Sequence, residues 1–232
     1  MRTSVVVSIG AAMLLLGGLA LGQAAESAAP TTASREIIEL PPPKTNGNAS
    51  LEEVLAQRRS VRTFDPQKSL SMEQLGQLMW AAQGVTEPKR GLRTAPSAGA
   101  TYPLELYAVT PEGHYHYVPS GHRFERLGTR DLRRALANVP RNNQSLFSSA
   151  TLVVVIAADY RRSIAKFGER AAGRYVLFEA GHVAQNLLLE ATAQGLACVP
   201  TGPIYEDDAV NRLLSIPIEQ KPLYTIAIGF SK

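Results

Sequence analysis

The chain of 232 residues contains a single cysteine, Cys198, so no intrachain disulfide can staple it. Cys198 lies in GLACVP, an apolar strand-like run, and reads as a small buried hydrophobe rather than a nucleophile. Charge of one sign is also scarce. The formal net charge is +4, too small to argue for nucleic acid as a partner. The basic residues gather in local clusters, which suits a small anionic ligand better.

Several catalytic signatures are missing. There is no G-x-G-x-x-G after the first strand, no Gly-rich loop ending in Gly-Lys-Ser/Thr, and no G-x-S-x-G elbow. A Rossmann enzyme, a nucleotide hydrolase and a serine hydrolase therefore lack their core parts. His114 and His116 share one face of a hairpin strand, but no carboxylate or cysteine stands at ligand spacing, and no metal is expected. His182 falls inside a long helical pattern and is expected to be packed.

What is present is an ordinary globular balance, 45% hydrophobic and 19% charged, on a chain long enough for one domain with a sizeable core. Arg2, the apolar run from Val5 to Leu21 and the small residues of ALGQAAES read as a secretory signal peptide over residues 1–24. The protein is then expected outside the cytoplasm, periplasmic or extracellular, with no stable membrane insertion after cleavage. No cysteine adjoins the cleavage site and there is no twin arginine, so a lipoprotein is not expected and the chain should cross unfolded. An uncleaved anchor is the alternative, although about 17 apolar residues is short for a span. Residues 25–49, ending in LPPPKTNGN, read as a linker or extended arm, within which REIIEL has the pattern of a short strand.

The compact domain is expected over residues 50–232. Ser50 and Glu53 form a capping box for a first helix reaching about Arg59. A second helix starts at Ser71, carries Leu75, Leu78, Met79 and Ala82 on one face, and stops at Gly84. LELYAVT, HYHYV and RFERL alternate as a β meander. A helix follows with Thr129 as N-cap, and TLVVVIAA reads as a strand buried on both faces. The longest helical pattern covers Arg170 to Gln194. LACVP, DDAVNRLLS and LYTIAIGF close the chain as strand, helix and strand. The sum is an α+β fold, a central sheet with long apolar helices against it.

One feature carries chemistry. AQRRSVRTFDP (56–66) crowds Arg58, Arg59 and Arg62 around Ser60 at a helix exit. In an extended segment Arg58, Ser60 and Arg62 point to one side and Arg59 to the other. Guanidinium forks and a hydroxyl suit a phosphomonoester. A solvated basic helix end, favoured by the helix dipole, accounts for the same residues equally well. RTAPSAGATYP (93–103) and VPTGPIY (199–205) are small-residue loops whose backbones can approach a ligand closely.

Taken in order, RRSVRTF (58–64), LGQLMWAAQGVT (75–86), RTAPSAGATYPLELY (93–107), FEAGHVAQNLLLEATAQGL (178–196) and YEDDAVNRLLSIP (205–217) resemble the nitroreductase family of FMN-dependent flavoproteins, and within it the SagB/ThcOx-type dehydrogenases. The resemblance runs from IIELPPP to the C-terminus. It implies a nitroreductase-like fold, a central mostly antiparallel sheet flanked by helices, in an intertwined homodimer with FMN at the interface. It assigns Arg58, Arg59, Ser60 and Arg62 to the FMN phosphate and pyrimidine side. Pro96, Ser97, Ala98 and Gly99 would approach the flavin from the partner chain. The loop at Pro200, Thr201 and Gly202 would offer backbone amides near N5 and O4, and Lys232 is the C-terminal candidate for the phosphate.

The resemblance also implies an oxidoreductase working by two-electron, ping-pong hydride transfer through flavin N5 to a nitroaromatic or quinone-like acceptor. The donor would be NAD(P)H or a redox partner. A non-enzymatic electron-relay protein is one alternative, since NAD(P)H is scarce outside the cytoplasm. An azoline peptide dehydrogenase is another. For the latter, Lys166 and Arg170 of KFGER match the branch's K-Y-G-x-R and make Lys166 a possible catalytic residue. Phe167 replaces the tyrosine and cannot move a proton as a phenol does.

Overall fold

A computed structural model describes residues 35–139, 144–202 and 207–232. The expected signal peptide and the first part of the arm, residues 25–34, lie outside the described residues. The rest of the arm is not a free linker. Ile37–Glu39 form strand β1, which pairs antiparallel with a later strand of the same chain, and residues 35–232 make one compact unit.

Helix α1 (Leu51–Gln57) starts at the expected capping box, with the Glu53 amide donating to the Ser50 hydroxyl. Helix α2 (Met72–Gln83) has a second box, Ser71 with Gln74, and buries Leu75, Leu78, Met79 and Ala82. Gly84 does end it, but with an extended backbone (φ −62°) rather than a left-handed one. Glycine is needed there because a Cβ would lie 2.1 Å from the Trp80 ring. Two short strands, β2 (Val85–Glu87) and β3 (Leu92–Arg93), form a separate ribbon.

The meander follows as β4 (Leu104–Thr110), β5 (Gly113–Val118) and β6 (Arg123–Gly128). Helix α3 (Arg133–Asn138) begins later than Thr129. Asp131 takes the Arg133 amide and guanidinium, and this local bond outcompetes a threonine cap further upstream. Then come α4 (Gln144–Ser149), β7 (Leu152–Ala158), α5 (Tyr160–Ala193), β8 (Ala197–Thr201), α6 (Asp207–Leu214) and β9 (Lys221–Gly229). Helix α5 starts ten residues before the expected Arg170. Asp159 caps its first turn by accepting from the Arg161 amide, and Gly168 (φ 73°) kinks it into two pieces.

The main sheet has the order β1-β6-β5-β4-β7-β9-β8, and every neighbouring pair in it is antiparallel. Strand β7 explains how the layers form. Leu152, Val154, Ile156 and Ala158 face the core beneath α2 and α5, while Val153, Val155 and Ala157 face the core beneath α3, α4 and α6. Each buried Val, Leu or Ile side chain contributes about 1.5–3 kcal/mol, so a strand apolar on both faces is stable only at the centre of such a sandwich. Among the described residues no helix is long and apolar enough to cross a membrane.

A polar tie crosses the meander. Glu105 accepts from His116 Nε2 at 2.7 Å and from the Arg162 guanidinium at 2.5 Å. Burial pushes its carboxyl up, but the hydrogen bond and charge of His116, together with Arg162, outweigh this and hold it below the usual range. A depressed carboxyl stabilises the fold above its unfolded value of about 4.3, and the contribution is lost as pH falls through the folded value. Glu105→Gln should therefore cost about 1–3 kcal/mol at neutral pH. It should also flatten the acid limb of stability measured by urea unfolding below about pH 5. Parallel acid limbs for the two proteins would refute the tie.

Candidate active site

The arginine segment leaves α1 and extends immediately. The Arg58 amide still donates to Val54 O, closing the helix. Ser60 then makes a parallel bridge to Cys198 on β8, and the Val61 amide donates to Cys198 O at 3.0 Å. Phe64 makes an antiparallel bridge to Ser231, and the Asp65 amide donates to Phe230 O at 2.8 Å. The segment thus bridges β8 at Ser60 and the residues just after β9 at Phe64 and Asp65. Phe64, with no exposed surface, is the plug beneath it.

This pairing sorts the arginines. Arg59 folds back and donates to the carbonyls of Ala56 and Arg58, satisfying the end of α1. The helix-end explanation therefore accounts for Arg59. Among the described residues Arg58 and Arg62 have no acidic partner and no side-chain hydrogen bond. They stand roughly 13 Å apart along an extended chain, with Ser60 between them.

Arg62 opens onto a cleft of about 370 Å³ with Ser145, Leu146, Val199, Pro200, Thr201 and Gly202. The parallel run beside β8 carries Arg62 to the end of that strand, where the chain leaves the sheet after Thr201. The Thr201 hydroxyl is turned inward onto Thr225, so the loop presents backbone rather than side chain. Lys232 is exposed, and continuing the Phe64–Ser231 register puts it beside Thr63, next in chain to Arg62. Two of the expected groups, Arg62 and residues 200–202, therefore meet in this cleft. Ser145 and Leu146 had no signal in sequence, because α4 is a short helix brought in by the core under the sheet.

Pro96–Gly99 do not line this cleft. They sit in a tight turn against the first piece of α5. The Lys166 ammonium donates to Gly99 O at 2.9 Å, the Ser163 and Thr101 hydroxyls are 2.9 Å apart, and Arg162 donates to Tyr102 O. Gly99 (φ 57°) has no room for a side chain, since a Cβ would lie 2.7 Å from Lys166 and 2.8 Å from Phe167. Phe167 in turn meets Tyr175 edge-on at 5.0 Å. Lys166 is therefore a structural clamp on this turn in the single chain.

The remaining candidates resolve simply. Cys198 is buried and its thiol is pushed up by that burial, with Thr192 and Arg58 opposing. His116 lies between Glu105 and Glu125, and His114 is buried. His182 is exposed on α5, not packed, because the apolar stripe passes through Val183 and Ala184 beside it. A second cleft, of about 660 Å³, lies beneath residues 42–51, and none of the expected site residues lines it. Large apolar side chains remain exposed on α1 (Leu51, Leu55) and α5 (Leu177, Phe178).

The donor set fits FMN: two guanidinium groups without partners among the described residues and a hydroxyl for a phosphate, beside a strand end that offers backbone amides. The model of the nitroreductase family matches residues 55–230. A protein of Methanocaldococcus jannaschii described as a nitroreductase is 40% identical over 185 residues, covering 77% of this chain and 90% of that protein. A nitroreductase structure from Ralstonia eutropha superposes with a TM-score of 0.75 at 28% identity, over 87% of this chain and 92% of the other. A chain of the Escherichia coli microcin synthetase complex shares the fold, with a TM-score of 0.66 at 21% identity, over 82% of this chain and 75% of that one.

Proposed function

We propose, from the premise that this chain belongs to the nitroreductase family, that it is an exported FMN-dependent oxidoreductase acting on a small nitroaromatic or quinone-like acceptor. The observation that carries this reading is the pair of arginines flanking Ser60 beside β8, with Arg62 in the cleft at the end of that strand and neither arginine with a partner among the described residues. A phosphomonoester carries about two negative charges at neutral pH, which would relieve the repulsion between Arg58 and Arg62. The Ser60 hydroxyl adds a donor between them, and Lys232 adds a cation at the rim. When bound, the flavin supplies the redox chemistry, accepting and releasing hydride at N5 in alternating half-reactions. The chain's own part is to hold the phosphate, to present the backbone of residues 200–202 to the ring, and to keep water from it.

Among the described residues the cleft is lined by Arg62, Ser145, Leu146 and residues 199–202. A second copy is proposed to cover it and to bring its own Pro96–Gly99 turn to the flavin. The exposed Leu177 and Phe178, 57% and 61% accessible, support such a homodimer, because large apolar side chains adjacent on one helix mark an interface. The donor would be NAD(P)H, or a redox partner where the exported protein meets no nicotinamide.

The purified protein without residues 1–24 should be yellow, with flavin absorption bands and about one FMN per chain. Adding NADH or NADPH should bleach those bands, and a quinone or nitroaromatic should restore them. A colourless protein that takes up no added FMN would overturn the reading. A flavin-loaded protein that neither nucleotide reduces would point to the electron-relay alternative.

A further inference from the structure

Among the described residues only four that are not glycine have a left-handed backbone, and two of them, Ala100 and Tyr102, fall in one turn with Gly99, at φ of 52°, 43° and 57°. Tyr102 is the bulkier of the two, and it also precedes Pro103. A proline ring drives the residue before it towards an extended backbone, with φ about −120°. A large side chain held away from that region persists only where surrounding contacts enforce it, and such residues gather at functional sites. Four contacts enforce Tyr102. Its amide donates to the Ser97 hydroxyl at 2.9 Å, and its carbonyl accepts from the Arg162 guanidinium at 2.9 Å. Its hydroxyl accepts from the Arg93 amide at 3.2 Å, and its ring lies under the Arg93 guanidinium at 4.5 Å. Arg93 is anchored in turn, donating to Oε1 of the wholly buried Gln83 at 3.0 Å.

The other side of the turn is bare. Pro96, Gly99 and Ala100 are exposed and carry little side chain. The turn is thus braced from within and presents a small-residue backbone outward, a shape that lets a flat ring approach closely. We propose that Tyr102 is a positioning residue that holds the Pro96–Ala100 turn preformed in the shape that meets the flavin. The inference rests on the FMN reading above. Tyr102 acts through the backbone. Its amide closes the turn onto Ser97, and its left-handed φ fixes where Gly99 and Ala100 lie relative to that serine. A turn fixed in this way loses no freedom when it binds, so affinity is not spent on ordering it.

Action through the backbone yields a specific test, because substitutions should then follow φ rather than size. Tyr102→Phe keeps the ring beneath Arg93 and loses one neutral hydrogen bond. It should bind FMN within about 5-fold of the parent. Tyr102→Ala removes the ring and the hydroxyl but keeps a Cβ, which disfavours the left-handed backbone that nothing now enforces. The turn should relax, and FMN binding should weaken about 10-fold or more. Tyr102→Gly removes one atom more, yet glycine adopts a left-handed backbone freely and keeps the amide for Ser97 and the carbonyl for Arg162. It should bind FMN at least about 3-fold more tightly than Tyr102→Ala. A role confined to packing gives no such recovery on shortening the side chain further.

FMN affinity is measured by flavin fluorescence quenching on all four proteins. The melting of each flavin-free protein, recorded alongside, shows that it is folded, and the visible flavin band reports the surroundings of the ring. That band should shift in Tyr102→Ala and return towards the parent position in Tyr102→Gly. Unchanged affinity in a folded Tyr102→Ala, or a Tyr102→Gly that binds no more tightly than Tyr102→Ala, overturns the proposal. If Tyr102→Ala does not melt cooperatively, Arg93→Met takes its place, since it withdraws the guanidinium from the ring and from Gln83 while keeping a long side chain. Unchanged FMN affinity in that variant overturns the proposal equally. If the parent protein itself binds no FMN, the functional reading fails first and takes this inference with it. A parent that binds FMN beside a Tyr102→Ala that binds it equally well leaves that reading standing and removes this inference alone.

Discussion

Replacing Arg58 and Arg62 together with alanine is expected to weaken FMN binding by about 100-fold or more and to leave the fold intact. Each removes a charge-assisted donor set, and hydrogen bonds to charged groups are worth about 1.5–3 kcal/mol, so two lost contacts exceed about 3 kcal/mol. The structural cost is small because neither guanidinium has a partner among the described residues and Arg62 is exposed. The repulsion between them also disappears, which offsets part of any lost packing of the half-buried Arg58. Arg59→Ala is the matched control: it uncaps α1, whose last carbonyls Arg59 now satisfies, and should lower stability slightly while FMN stays bound. Flavin titration and thermal melting on the same three proteins separate the outcomes. Full FMN affinity in the double variant would remove the anion site from this segment.

Phe64→Ala should be the most destabilising single change in the segment. Phe64 is wholly buried, belongs to the core beneath α3, α4 and α6, and lies against Gly229, where a Cβ would already stand 3.0 Å from its ring. A buried Phe→Ala cavity costs about 3–5 kcal/mol. At 2–4 °C per kcal/mol for a domain of this size, the melting temperature should fall by roughly 6–20 °C. The same cavity removes the plug that holds the segment against β8 and the residues just after β9, so FMN affinity should fall with it. Phe64→Leu, which keeps most of the volume, should lose under about 1.5 kcal/mol and retain FMN. Equal stability of Phe64→Ala and the parent would contradict the packing described here.

These two predictions draw on different kinds of information. The alternation of Arg58, Ser60 and Arg62 is a property of three neighbouring residues, and it was legible without coordinates. So were the capping box at Ser50, the start of α2 at Ser71, its buried face, and the double-sided burial of β7. Each depends on a period of two or 3.6 residues, or on a cap three residues long, and such short-range geometry is written in the order of the residues. Where local signals competed, reading them in isolation failed. Thr129 lost to Asp131 as the start of α3, and Gly168 hid the first piece of α5 by breaking its periodicity.

Glu179 falls at helical spacing with Val176, Ala180 and Val183, yet nothing in that spacing says what it meets. Gln83 and Glu179 meet only because α2 and α5 pack side by side over one face of the sheet. Likewise, alternation set Arg59 apart from Arg58 and Arg62, but that it folds back onto the end of α1 shows only in the structure. Composition, caps and periodicity determined the elements, their faces and the residue types of an anion site. Which of those residues are free and which are clamped was decided by strand order and helix packing. Those are contacts between positions tens of residues apart, set by burial over the whole core, and no short-range period encodes them.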